Sequence, residues 1–187
     1  MRERVSLALV HYPTVDRTGA VVATAVTALD LHDLARLSTT YGLGGVYVTT
    51  PLEGQRALSR RLLGHWIDGR GGQVNPCRRE ALATLRIVER LADAVEELEG
   101  RWGLPPQLVG TSARGGADRV GFGEARERIC AGLAPVVVVF GTGWGLAPEV
   151  LADCDWVLQP IEGEAKYNHL SVRSAASIIV DRLFGGG

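Results

Sequence analysis

The run Val136-Val137-Val138-Val139-Phe140 passes at once into Gly141-Thr142-Gly143-Trp144-Gly145-Leu146. Five consecutive apolar residues, four of them β-branched, describe a strand buried on both faces, which is the signature of a parallel sheet. The loop that follows is nearly free of side chains, so it predicts backbone N–H groups that a ligand can approach directly. A second segment adds to this. Tyr167-Asn168-His169-Leu170-Ser171-Val172-Arg173-Ser174-Ala175-Ala176-Ser177-Ile178 is a polar turn opening into a helix of small residues. Both segments lie late in the chain, whereas the familiar glycine-rich nucleotide loops follow the first strand of their domain.

Composition narrows the class further. At 187 residues the chain is long enough for one ordinary core and short for two, so it reads as a single domain over 1–187. With 46% hydrophobic and 22% charged residues it has the balance of a globular protein, not of a disordered or fibrous one. No apolar stretch reaches the length of a membrane span and Met1-Arg2-Glu3-Arg4 leads into a run too short for a signal segment, so the expected location is cytoplasmic. Cys77, Cys130 and Cys154 have no C-x-x-C spacing, which argues against a disulfide framework or a cysteine metal site. Net charge is −1, yet residues 54–79 carry six arginines against one aspartate. That local stripe suits a phosphate backbone, or is simply a solvated helix face.

Periodicity predicts alternating strands and helices. Strands are expected at 5–12, 45–49, 108–111, 136–140 and 156–159, with a turn around Gly19 between the first strand and a helix over 30–41. Further helices are expected at 52–67, 123–131, 148–151 and 171–184, with a glycine-rich loop at 68–76. Leu82, Leu85, Val88, Leu91, Val95 and Leu98 recur at helical spacing and predict one long helix over 79–99. Short apolar strands alternating with helices give an α/β fold, a mostly parallel sheet flanked by helices on both faces.

The glycine loop matches neither common phosphate motif. Its third glycine comes one residue too early for G-x-G-x-x-G, and no Lys-Ser or Lys-Thr follows to make a P-loop. Glu162 sits where a ribose-binding carboxylate of a dinucleotide site is expected, but too little chain remains to complete such a fold. A tight turn with positive φ is the purely structural alternative. In the last helix, Val172, Ala175, Ala176, Ile179 and Leu183 form an ordinary buried face with Ser171 as its N-cap. Asn168, His169 and the small residues 174–177 are left over, and they allow close approach to the first turn.

Three segments together resemble the SPOUT superfamily of RNA methyltransferases. Asp30-Leu31-His32-Asp33-Leu34-Ala35-Arg36 is similar to its first motif, in which an Asn precedes an Arg by six positions; Asp30 stands in place of the Asn and Arg36 is kept. Phe140 to Leu146 is similar to the second motif. Pro160-Ile161-Glu162-Gly163 with Tyr167 to Ile178 is similar to the third. Leu7 to Pro13, Thr50-Pro51-Leu52-Glu53 and Asn168 to Ser174 are similar to a small bacterial group of stand-alone SPOUT proteins.

The resemblance implies a C-terminal deep trefoil knot and S-adenosylmethionine as cofactor, with no metal. Cofactor contacts are then expected from Thr50, Pro51 and Leu52, from Gly141, Thr142, Gly143, Trp144 and Gly145, and from Ile161, Leu170, Val172 and Ser174. Arg36 is expected at the target nucleotide, steadying a phosphate or favouring deprotonation of the acceptor; a surface pairing with Asp33 is the alternative. His169 and Ser171 are the candidates for proton removal. The resemblance also implies a homodimer in which Arg36 serves the partner's site. Structured RNA, tRNA or rRNA, is the expected substrate, and Arg56, Arg60, Arg61, Arg78 and Arg79 are the candidate RNA-binding residues. A non-catalytic RNA-binding or S-adenosylmethionine-sensing module is the competing function.

Overall fold

The first strand, β1 (Val5–Val10), is buried at every residue, as a run of Val, Leu and Ala interrupted only by Ser6 requires. The computed structural model describes residues 1–165 and 167–186. After β1 come a small antiparallel hairpin, β2 (Thr14–Val15) with β3 (Val21–Val22), and helix α1 (Ala28–Tyr41). Next are β4 (Val46–Thr49), α2 (Glu53–Ile67), α3 (Arg70–Val74), α4 (Pro76–Leu82), β5 (Leu85–Val88) and α5 (Leu91–Trp102). The second half adds β6 (Gln107–Gly110), β7 (Arg119–Val120), α6 (Phe122–Ala131), β8 (Val136–Gly141), α7 (Pro148–Ala152), β9 (Trp156–Leu158) and α8 (Val172–Phe184).

Seven strands pair in the order β5-β4-β1-β8-β6-β9-β7, and every pairing is parallel. The expected α/β class with a parallel sheet covered on both faces is therefore correct. On one face Leu7, Leu9, Val48, Val138 and Phe140 pack with Leu31 and Leu34 of α1, Leu82 of α4, and Ile179 and Leu183 of α8. On the other, Ala8, Val10, Val137 and Val139 pack with Ala94 and Leu98 of α5 and Val150 of α7. β8 and β9 come late in sequence but lie between strands made earlier: β8 between β1 and β6, β9 between β6 and β7.

The long helix expected over 79–99 is the main correction. The chain turns at Ala83 and Thr84, where the Thr84 N–H and hydroxyl both donate to the Ala81 carbonyl, at 3.1 and 2.8 Å. Leu85–Val88 then pairs with Val46–Thr49 as an edge strand. Apolar residues three apart suit a helix, but Leu85 and Ile87 equally suit one face of a strand, and the open edge of β4 decides between them. Two smaller elements were also unforeseen. The 68–76 segment contains α3, and β7 forms beyond β9.

Candidate functional site

In an open parallel sheet the C-terminal strand ends form the natural ligand edge. Here β1 separates β4 and β8, and Val10 is in register with both Thr49 and Gly141. Each flanking strand end is bonded to the end of β1: the His11 N–H donates to Thr49 O at 3.0 Å, and the Thr142 N–H to Val10 O at 3.2 Å. The loops beginning at Thr50 and Gly141 are thus held one strand apart. Thr50 is fully buried, while Leu52 is exposed.

The glycine loop has the strained geometry its composition predicts. Gly143 and Gly145 lie at φ 61° and 110°, and a Cβ on Gly141 would sit 2.7 Å from the Gly145 carbonyl carbon. Its amides, however, are not the free donors expected. Thr142, Trp144 and Gly145 N–H groups donate to Val10 O, Val15 O and Thr142 O. The β2–β3 hairpin braces the loop, so a ligand meets its shape and the Trp144 ring instead of those three N–H groups. Space beside Gly145 is open, with nothing within 4 Å of where a Cβ would be.

The C-terminal segment comes back to this loop. His169 lies between two aromatic rings, Trp144 at 5.3 Å and Tyr167 at 5.2 Å between centroids. Trp144 and Tyr167 are both exposed. An exposed cluster of aromatic faces beside an open glycine loop suits a purine ring or a sulfonium cation. Ile161 and Val172 instead pack against the core, and Leu170 is exposed. Asn168 Nδ2 donates to Ala113 O at 3.3 Å, tying the segment to the loop after β6.

Arg36 and Ser171 meet in an open cleft of about 390 Å³, lined also by Asp33, Arg173, Ser174 and Ser177. Thr27 and Asp30 set the start of α1 with a capping box: the Thr27 hydroxyl accepts the Asp30 N–H at 3.2 Å, and the Asp30 carboxylate accepts the Thr27 N–H at 3.3 Å and the Thr27 hydroxyl at 2.6 Å. That start places Arg36 on the exposed side, two turns on. Ser171 caps α8, accepting the Ser174 N–H at 3.3 Å, and the two serine hydroxyls lie 3.0 Å apart. Among the described residues Arg36 takes part in no ion pair. Its expected alternative partner, Asp33, accepts instead from Arg173 at 2.8 Å, and Arg173 also reaches Asp30 at 3.3 Å. Asp30 therefore acts as an acceptor for a cap and a cation, the opposite of an amide donor at this position. Arg173 has no local signal, because its partners lie about 140 positions earlier in the chain.

A second feature the sequence did not reveal lies under the site. Fully buried His11 has Nδ1 3.0 Å from Thr24 Oγ1, which bonds the Thr142 hydroxyl. The Thr24 hydroxyl also donates to His11 O at 3.4 Å, and the Thr142 hydroxyl to Val10 O at 3.1 Å. His11 Nε2 is buried without a hydrogen-bond partner among the described residues. Burial pushes the His11 pKa down to about 4, against the opposing pull of the Asp30 carboxylate, so the ring is neutral at pH 7.

The arginine stripe divides. Arg56 is buried and contradicts its expected place on an RNA-facing surface: it is paired to Glu53 at 2.6 Å and Glu89 at 3.2 Å, and donates to Thr50 O at 2.8 Å. It fixes the loop after β4. Arg60, Arg61 and Arg79 are exposed and Arg78 is half-buried. Among the described residues no cluster of His, Cys, Asp and Glu is arranged to hold a metal ion, and no helix is long and apolar enough to cross a membrane.

Known proteins are similar to this chain in sequence and fold. A tRNA (guanine-N(1)-)-methyltransferase of Oleidesulfovibrio alaskensis is 49% identical over 178 residues, which cover 95% of this chain and 41% of the relative. The chain thus spans about two fifths of that relative's length. An uncharacterized protein of Aquifex aeolicus is 38% identical over 98% of this chain and 90% of its own. The solved TrmH/SpoU tRNA modifying enzyme of A. aeolicus superposes with a TM-score of 0.55 at 17% identity, over 97% of this chain and 74% of that one. It shares the fold, as the SPOUT resemblance implied. The family model for SAM-dependent RNA methyltransferases matches residues 4–185, and the chain belongs to that family.

Proposed function

We propose that this chain transfers a methyl group from S-adenosylmethionine to a nucleotide of structured RNA, with tRNA the first substrate to test. The observation that carries the reading is the 5.3 Å approach of Trp144 to His169, which joins the glycine loop to the segment opening α8. Thr50, Pro51 and Leu52, Gly141 to Gly145, and Ile161, Leu170, Val172 and Ser174 would hold the cofactor. Bound there, it supplies an activated methyl group, and the protein's task is to hold the acceptor atom in line with it. Arg36 brings an unpaired positive charge to the cleft, where it steadies a phosphate or favours a deprotonated acceptor. Ser171 and His169 are our candidates to take or relay the acceptor's proton.

The assembly we propose is a homodimer of a single domain over 1–187, acting in the cytoplasm, with Arg36 serving its own cleft or the partner's. β8 and β9 enter between strands laid down earlier, an arrangement that supports threading of Pro160 to Gly163 with Tyr167 to Ile178 as a trefoil knot. Arg60, Arg61, Arg78 and Arg79 are proposed for RNA contact.

The test is incorporation of isotope-labelled methyl groups from S-adenosylmethionine into bulk tRNA, with melting in S-adenosylhomocysteine or NAD alongside. At 100 times its dissociation constant a ligand stabilises by about 2.7 kcal/mol. A shift with S-adenosylhomocysteine alone, plus label in RNA, is the expected result; a shift with NAD alone would sink the assignment. A second reading has its own support: the relative named as a methyltransferase carries more than half of its length outside the matched region. The chain would then be a non-catalytic RNA-binding or cofactor-sensing module, and a cofactor shift without label would favour that.

A further inference from the structure

One turn before Arg36 on the same face of α1 is His32, and its ring meets Trp66 of α2 edge-on, 5.4 Å between centroids at 87°. His65 meets the same indole edge-on at 5.4 Å, and the Arg78 guanidinium of α4 lies over it, 5.4 Å from the ring centroid. Three helices therefore converge on one tryptophan, with His32 one turn before the cleft residue Arg36. Neither Arg36 nor Arg78 takes part in an ion pair among the described residues. Asp33, the acid facing His32 from the same helix, is occupied by Arg173. His32 Nδ1 is buried without a hydrogen-bond partner among the described residues. The pKa of His32 is lowered by burial first and by Arg78 next, with Asp33 opposing and Arg36 adding, so both guanidinium charges reach the ring.

We infer that Arg78, held over Trp66 beside His32, with Arg36 one turn further along α1, forms a seat for a backbone phosphate of the RNA strand beside its target nucleotide. The inference rests on the proposed RNA substrate. A base-stacking role is the natural rival for an aromatic among cations, but this indole already has Arg78 over one face and two imidazoles meeting it at near-perpendicular angles. What stays available is the guanidinium. A planar Arg held on an aromatic face keeps its in-plane N–H edge free and loses little side-chain freedom on binding, which suits the bidentate geometry of a phosphate. Two uncompensated guanidinium groups beside a neutral imidazole also give a concentrated positive field, which a polyanion neutralises with release of counterions.

The experiment is binding of bulk tRNA to the full chain over a salt series, with inorganic phosphate as competitor. Arg78→Ala is expected to weaken binding about five- to tenfold at 0.1 M salt and to lower the salt slope by about 1. Arg78→Lys should restore the slope but not the full affinity, because it keeps charge and loses the fork. Unchanged affinity and slope in Arg78→Ala, with its melting temperature and S-adenosylhomocysteine shift intact, would overturn the seat and leave the methyltransferase reading standing. Loss of slope in a protein that incorporates no methyl label would keep the seat and overturn the reading instead. Competition by millimolar inorganic phosphate as effective as that by tRNA would show an anion site without an RNA strand, which also counts against the proposal.

Discussion

Arg173 in the first turn of α8 lies 3.3 Å from the Asp30 carboxylate in the first turn of α1. Its other nitrogen donates to Asp33 at 2.8 Å. A cation near a helix N-terminus opposes the helix dipole, so α8 gains nothing from Arg173 by itself. The two carboxylates reverse that balance and clamp the Ser171 turn beside Arg36.

Breaking the clamp leaves buried Asp30 without its cation. Arg173→Ala is expected to cost about 1–3 kcal/mol in urea denaturation. Arg173→Lys should recover only part, since one ammonium cannot reach both acids with fork geometry. A loss under about 0.5 kcal/mol, the range of ordinary surface changes, would show that the clamp is ornamental.

Arg36 should behave in the opposite way. It is exposed and unpaired, so Arg36→Ala ought to change stability by less than about 0.5 kcal/mol. Methyl transfer to tRNA should nonetheless fall by about 10²-fold or more, the usual cost of losing a positioned charge at a reacting group. Unaltered turnover would remove Arg36 from the chemistry.

The glycines separate strain from crowding. Gly145→Ala meets open space and pays only for its φ of 110°, about 1–2 kcal/mol. Gly141→Ala drives a Cβ against the loop backbone and should cost more. Both should weaken the melting shift with S-adenosylhomocysteine, Gly141→Ala the more severely; an equal, full shift in both would mean the loop does not hold the cofactor.

His11 makes stability depend on pH. Its native pKa of about 4 lies below the ordinary 6.5, so the unfolded chain binds the extra proton between these values. Stability from this group is complete above pH 6.5, falls as the pH drops through that window, and levels off below 4, a loss of up to about 3 kcal/mol. Urea midpoints from pH 4 to 7 should therefore fall more steeply for the wild type than for His11→Gln. Parallel curves would refute a buried neutral ring.

Arg56 and Arg61 test the division of the stripe. Arg56→Ala removes the partner of Glu53, Glu89 and Thr50 O, and should destabilise by about 1–3 kcal/mol. Arg61→Ala should leave stability nearly unchanged and reduce the salt slope of tRNA binding. The reverse pattern would put Arg56 back at the RNA surface.

Much of the fold was legible because apolar runs such as Val136 to Phe140 have only one stable use, a strand covered on both faces. The exception, 79–99, shows the limit of periodicity. Leu82, Leu85 and Val88 serve a helix or a helix followed by a strand, and the choice belongs to the edge of β4. In the site, sequence placed Arg36, Ser171 and the glycine loop in plausible roles, yet it mistook Arg56 for a surface residue. Charge on a helix reads as solvated until a neighbouring strand brings Glu89 within reach.

Local chemistry, then, determined the continuous apolar strands such as β1 and β8, the Thr27 and Ser171 caps, the positive-φ glycines and the motifs that mark the family. Tertiary structure alone decided that Asp33 belongs to Arg173 and not to Arg36, that His11 is neutral beneath the glycine loop, and that His32, Trp66 and Arg78 converge. The physical reason is range. Caps and turns are settled by bonds across a few residues, whereas ion pairs, desolvation and ring contacts depend on groups that meet only after the sheet has ordered its strands.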